Sequence, residues 1–231
     1  MREYDIHLRT AELFDLSHTL ARPWLARTEY PWEILNDIPT IIREIGATLD
    51  ADHYHTPTKG VWIARTATVA DTARITPPAI IGENTEVRQG AFLRGAVLVG
   101  DGCVVGNSTE LKNCILFDGV QVPHYNYVGD SVLGYRSHLG AGAITSNVKG
   151  DQTPVTVKPA AGYEGDFDPI PTGRRKLGAM LGDFAEVGCN SVLNPGTVIG
   201  PHTRVYPLSS VRGAVPPRAI FKNGGEIVEQ R

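Results

Sequence analysis

"IARTATVADTARITPPAIIGENTEVRQGAFLRGAVLV", residues 63–99, carries a branched aliphatic residue at every sixth position: Ile63, Val69, Ile75, Ile81, Val87, Leu93 and Val99. The series runs on through Val105, Leu111 and Phe117 before Pro123 breaks it. Four residues after each member the side chain is usually small, as at Ala67, Ala73, Ala79, Thr85, Ala91, Cys103 and Thr109. A second series, Leu181, Val187, Leu193, Ile199, Val205 and Val211, has Gly182, Gly188 and Gly200 directly behind three of its members. A period of six fits neither the 3.6 of a helix nor plain strand alternation. It is the repeat of a parallel β-helix in which six residues form one flat face. Three faces close a coil, with the branched residue inside a narrow triangular core and Gly or Asn at the bends. Coils then stack about 4.8 Å apart with continuous backbone pairing. Residues 63–150 hold roughly five coils and 181–211 nearly two more.

Outside the series the chain changes character. In "WEILNDIPTIIREIG", residues 32–46, the apolar residues Trp32, Ile34, Leu35, Ile38, Ile41, Ile42 and Ile45 fall mostly at helical spacing, interrupted at Pro39 and ending on Gly46. One or two helices are expected here, capping the open end of the solenoid. A polar connector, residues 49–60, carries His53 and His55, a pair more often solvated than metal-bound. Residues 151–176 lose the period and are rich in Pro, Gly and charge, which predicts a loop extruded from one corner. The expected organisation is an N-terminal helical cap and connector over 1–60, followed by an all-β parallel β-helix over 61–231 with the loop inserted.

The net charge of -3 is spread along the chain, which points away from nucleic-acid and membrane partners and toward small molecules or copies of the chain itself. The first residues, "MREYDIHLRTAELFDL", lack a signal-like apolar run, so a cytoplasmic location is expected. Three cysteines, Cys103, Cys114 and Cys189, are at no metal-ligand spacing and read as free thiols, with no metal site.

The motifs "FLRG", "GNSTELKN", "VPHYNYVGD", "LGAGAITSN", "EVGCNSVLNPG" and "AIFK", spread over residues 92–222, resemble those of the hexapeptide-repeat acyltransferases. They are most similar to the acetyltransferase domain of bifunctional enzymes that make UDP-N-acetylglucosamine. The resemblance implies a left-handed β-helix assembled as a homotrimer, and transfer of an acetyl group from acetyl-CoA to glucosamine-1-phosphate or a related amino sugar phosphate. "PWEILNDIP", residues 31–39, looks like the segment that joins such a helix to a nucleotidyltransferase domain. Residues 1–60 hold no Gly-rich phosphate loop, so nucleotidyl transfer would need a separate nucleotidyltransferase chain as partner.

Amine acetylation needs a base, donors for the sugar phosphate, and a dipole facing the thioester oxygen as it becomes negative. By resemblance His124 is the base, an imidazole being able to accept a proton at pH 7, and its pocket is the expected reason for the broken period. Glu110 would orient it. Arg94 and Lys112, one coil apart, should stack on one face and suit a phosphate dianion. Tyr127 and His138 would hold the sugar. For acetyl-CoA the resemblance implies the backbone N–H of Ala141 as oxyanion donor, with Asn147, Cys189, Pro207 and Lys222, and Arg174 and Arg175 of the loop as extra phosphate partners. The chain departs from the family at His138 (Asn in the family), Val148 (an aromatic), Thr153 (a Lys) and Cys189 (a Ser), which bears on acceptor choice. Two other readings compete. A zinc carbonic anhydrase needs three converging histidines, and His124, His138 and His202 lack that family's close pair. A non-catalytic regulatory or assembly β-helix would partner a nucleotidyltransferase.

Overall fold

The computed structural model describes residues 6–161 and 168–230. The six-residue series resolves into three vertical stacks, because each short strand pairs in parallel with the strand one coil away. On the first face Ile63 is level with Ile81 and Val99. Val69, Val87 and Val105 stack on the second, and Ile75, Leu93 and Leu111 on the third. The later series continues them, with Val187 level with Val205 and Leu193 with Val211. Leu93, Val99, Val105 and Leu111 are wholly buried. At each end a short antiparallel strand pairs with one face and covers an edge that would otherwise template further pairing: Tyr54–Thr58 on Val61–Ala64, and Ile227–Glu229 on Ala219–Phe221.

The break in the period has a different cause from the one expected. Val99 is level with Leu116, not with Phe117, and Leu116 with Leu133, so this face has lost one residue in two successive coils. The shortened corners are at Asn113 (φ 48°) and Asp130 (φ 50°), where the left-handed conformation takes up the loss. Val122 then lies level with Val105, and Pro123 is one position out of step. Phe117 leaves the stack and lies against Phe14, ring centroids 5.1 Å apart.

The N-terminal helices do not cap an end. Helix Ile38–Gly46 packs across strands Ala79–Ile81, Val97–Val99 and Glu110–Leu116, and the 3-10 segment Pro31–Asn36 packs on Tyr127–Leu133. The physical reason lies in the strands of this face: Ile80, Leu98, Ile115 and Val132, which alternate with the core-facing residues, are also apolar and must be covered from outside. Ile38, Ile41, Ile42 and Ile45 supply the covering stripe. Pro39 falls in the first turn, where its missing N–H costs nothing. Gly46 is required by close approach, since a Cβ there would lie 2.4 Å from the Trp62 indole. Val69 and Ile75, in the first coil, stay only partly buried. The described part of the inserted loop folds back along the solenoid: Thr156–Val157 pairs with Ile170–Pro171, Val155 and Val157 are buried, and Ala160 N–H donates to Ala214 O at 3.0 Å.

Candidate active site

His124 ends strand Gln121–His124 and is exposed at the corner between the second and third faces. The corner is built by Asn126, 2% exposed, whose Oδ1 accepts from His124 N–H at 3.1 Å and whose Nδ2 donates to Gly140 O and Ala143 O at 2.9 and 3.0 Å. Sequence reasoning missed Asn126, although it stands within the His124 motif. Its signal is a polar amide beside an aliphatic series, at a bend that has to satisfy its own backbone.

Along this corner the coils bring distant residues into one file. Gly142 N–H donates to His124 O at 3.0 Å, Asn190 N–H to Ala141 O at 2.8 Å, and Leu208 N–H to Cys189 O at 2.9 Å. His124, Ala141 and Cys189 therefore occupy the same position in successive coils, and Pro207, just before Leu208, follows them. The N–H of Ala141 has no hydrogen-bond partner among the described residues. Lys222 follows Phe221, which is level with Val205, so it stands near the end of the file; its ammonium is paired with Glu226 at 3.0 Å.

On the adjoining third face Arg94 and Lys112 stack as the spacing predicts, with Arg94 N–H donating to Leu111 O at 2.8 Å. Both already have carboxylate partners, however: Arg94 lies 2.7 Å from Glu110, and Lys112 lies 3.6 Å from Asp130. Glu110 therefore does not orient His124 in this structure. It begins the strand of the third face, where Arg94 of the preceding coil is the nearer partner, whereas His124 ends the second face around the corner. Asn147 is also placed differently from expectation. It stands just past strand Ile144–Thr145 and donates to the Tyr127 hydroxyl at 3.3 Å and to Asp130 Oδ2 at 2.6 Å, so it joins Tyr127 and Asp130 and not the file. Burial, reinforced by the charges of Asp130 and Glu110, pushes the Tyr127 phenol up. Arg174 and Arg175 line a recess with Leu35, Asn36, Asn113 and Asp130, at the far corner of the third face, away from the file.

His138 is half-buried on the second face, level with Gln121 and Glu186. Burial pulls its imidazole below the ordinary value, Glu186 opposes the shift, and His124 adds to it. The unfolded chain therefore takes up this proton first. Stability from this site is complete above the unfolded pKa of about 6.5 and is lost as the pH falls through the lower folded value. His138→Gln is expected to flatten the acid-side fall in Tm. Tm scans of both proteins between about pH 7 and 5 would check this, and curves of equal slope would place the acid sensitivity elsewhere.

A β-helix of six-residue repeats is the architecture that the resemblance to the hexapeptide-repeat acyltransferases implies. The chain is similar to several known proteins. A family profile described as the GMPPB C-terminal domain matches residues 75–161. A bifunctional sugar-1-phosphate nucleotidylyltransferase/acetyltransferase of Sulfurisphaera tokodaii is 31% identical over 172 residues, 67% of this chain and 41% of the relative. The chain thus spans less than half the length of that relative. A putative uncharacterized acetyltransferase of Escherichia coli, YaiX, is 30% identical over 176 residues, 68% of this chain and 73% of the relative. Among solved structures, the acetyltransferase domain of PglB from Neisseria gonorrhoeae, in complex with acetyl coenzyme A, aligns with a TM-score of 0.34 at 15% identity, covering 82% of this chain and 63% of that one. The chain belongs to the hexapeptide-repeat acetyltransferase family. Among the described residues no helix is long and apolar enough to cross a membrane.

Proposed function

We propose that the chain is an acetyl-CoA-dependent N-acetyltransferase of sugar-nucleotide biosynthesis, acting on an amino sugar phosphate such as glucosamine-1-phosphate as a cytoplasmic homotrimer. The observation that carries this is the file of His124, Ala141, Cys189 and Pro207, in which an exposed imidazole stands one coil from an unpartnered N–H. His124 takes the proton of the acceptor amine as its nitrogen attacks the thioester carbonyl carbon. The carbonyl oxygen becomes negative and the Ala141 N–H faces it. The C–N bond is complete in this tetrahedral intermediate; its collapse re-forms the carbonyl and breaks the C–S bond, and the CoA thiolate leaves and takes the proton held by His124. The sugar-1-phosphate named for the Sulfurisphaera relative supports a phosphorylated acceptor. The trimer rests on the family resemblance; in it Arg174 and Arg175, which line a recess on the third face, would be free to serve the file of a neighbouring copy.

The test is thiol release from acetyl-CoA with a panel of amino sugar phosphates and nucleotide-linked amino sugars. Release with an amino sugar phosphate, and none with the matching sugar lacking the amine, is the expected result; no release with any acceptor sinks the proposal. The pairing of Arg94 with Glu110 and of Lys112 with Asp130 favours a second reading, an assembly β-helix that partners a separate nucleotidyltransferase with its own site silent. Under that reading acetyl-CoA neither raises Tm nor is consumed.

The thiols give a separate check on the acetyl-CoA assignment. Cys189 is exposed in the file, whereas Cys103 is buried and its thiol is pushed up to about 12 by burial, as burial also raises Cys114. Saturating CoA is expected to slow alkylation of Cys189, while Cys103 and Cys114 stay unmodified with or without it. Peptide mapping of the alkylated protein reads this out, and Cys189 labelling indifferent to CoA would remove it from the cofactor site.

A further inference from the structure

The last two residues of "VPHYNYVGD" have no part in the chemistry above, yet the contacts of the polar face converge on them. Asp130 is 3% exposed. Its Oδ1 accepts from Asn113 Nδ2 at 2.8 Å, and its Oδ2 accepts from Asn147 Nδ2 at 2.6 Å and lies 3.6 Å from Lys112 Nζ. A buried carboxylate persists only when such partners satisfy it, and charge-assisted bonds of this kind hold their donors in one geometry. Gly129 supplies the space. A Cβ there would fall 2.5 Å from the Tyr127 hydroxyl oxygen and 3.0 Å from Asn147 Nδ2. Its φ lies outside the left-handed region, so room and not conformation requires the glycine.

We propose that Asp130 is a positioning residue for acyl transfer, fixing Lys112 and Asn147 against the acceptor, with Gly129 clearing the space in which Tyr127 and Asn147 meet. The inference rests on the acetyltransferase function proposed above. It gives Lys112 a different place in the chemistry from that of a free phosphate-binding cation: its ammonium is held at one point by the carboxylate and shared with the acceptor's phosphate. A purely structural role is the competing account, because Asn113 also donates to Leu35 O at 3.1 Å and so ties the N-terminal segment to this corner.

Steady-state kinetics of Asp130→Asn and Gly129→Ala, each with both substrates varied, separate the two. An asparagine cannot accept from Asn113, Asn147 and Lys112 together, and an alanine displaces the Tyr127–Asn147 contact while leaving Asp130 intact. Both variants are expected to raise the acceptor KM by about tenfold or more, with the acetyl-CoA KM within about twofold of wild type. Folded variants with a lowered Tm but unchanged acceptor KM would overturn the proposal in favour of the structural role. If Asp130→Asn does not fold, Gly129→Ala decides alone. A wild-type protein that transfers no acyl group to any acceptor removes the function on which the proposal rests, an outcome distinct from an active wild type with indifferent variants.

Discussion

His124→Ala is expected to lower turnover by roughly 10²- to 10⁴-fold, the usual contribution of a positioned base, while Tm and acetyl-CoA binding stay near wild type. The imidazole is exposed and its backbone, not its ring, makes the hydrogen bonds that shape the corner: the N–H with Asn126 and the C=O with Gly142. Removing the ring therefore takes away the proton acceptor and leaves the corner standing. Because Glu110 is engaged by Arg94, Glu110→Gln is expected to act through Arg94 and the acceptor KM, and not through the pH dependence of the rate. Turnover number and melting temperature measured on the same His124→Ala protein decide the matter. Near-normal turnover in a folded variant would overturn the base assignment.

Leu98→Ala carries the second large effect, a loss of about 2 to 5 kcal/mol of stability. Leu98 is 1% exposed in a strand whose neighbours Val97 and Val99 are also buried, and helix Ile38–Gly46 packs over that strand. Truncation leaves a cavity between helix and solenoid that two rigid surfaces cannot close. Chemical denaturation followed by circular dichroism measures the loss, with Leu208→Ala as control, since Leu208 is 74% exposed and its truncation should cost little. A loss below about 1 kcal/mol for Leu98→Ala would mean that the N-terminal segment is not docked on this face.

The architecture was legible because a core one side chain wide makes the same demand of every inward position, and Ile81, Val87 and Leu93 meet it equally well. The one-residue loss was not legible, because Leu116 and Phe117 are adjacent and both apolar, so counting by six lands on a plausible residue that faces Phe14 instead of the core. The docking face of the helices left a signal that periodicity alone passes over. "AII", "VLV" and "CIL" are apolar at three consecutive positions, which a strand shows only when both of its sides are covered. For the site, resemblance named His124, Ala141, Cys189 and Pro207, and it is the stacking of the coils that brings them into one file. The partners of Glu110, Lys112 and Asn147 depend on which way long side chains turn at a corner, and spacing does not encode that.

The docked N-terminal segment also alters how the repeats come apart. Stacked coils that touch only their neighbours can open one at a time from either end. Here coils that are not immediate neighbours share one tether, the Asp118 and Asp183 coils having the Tyr135 coil between them: Asp118 N–H donates to His18 O at 3.0 Å, Asp183 N–H donates to Leu13 O at 3.0 Å, and Asp15 N–H donates to Asp183 Oδ2 at 2.6 Å. Near the other end, Ala214 is stitched to Lys158 and Ala160 of the loop. Amide protons in the bridged coils should therefore exchange together, as one cooperative unit, although they belong to a repeat whose bare form would exchange in a gradient from its ends.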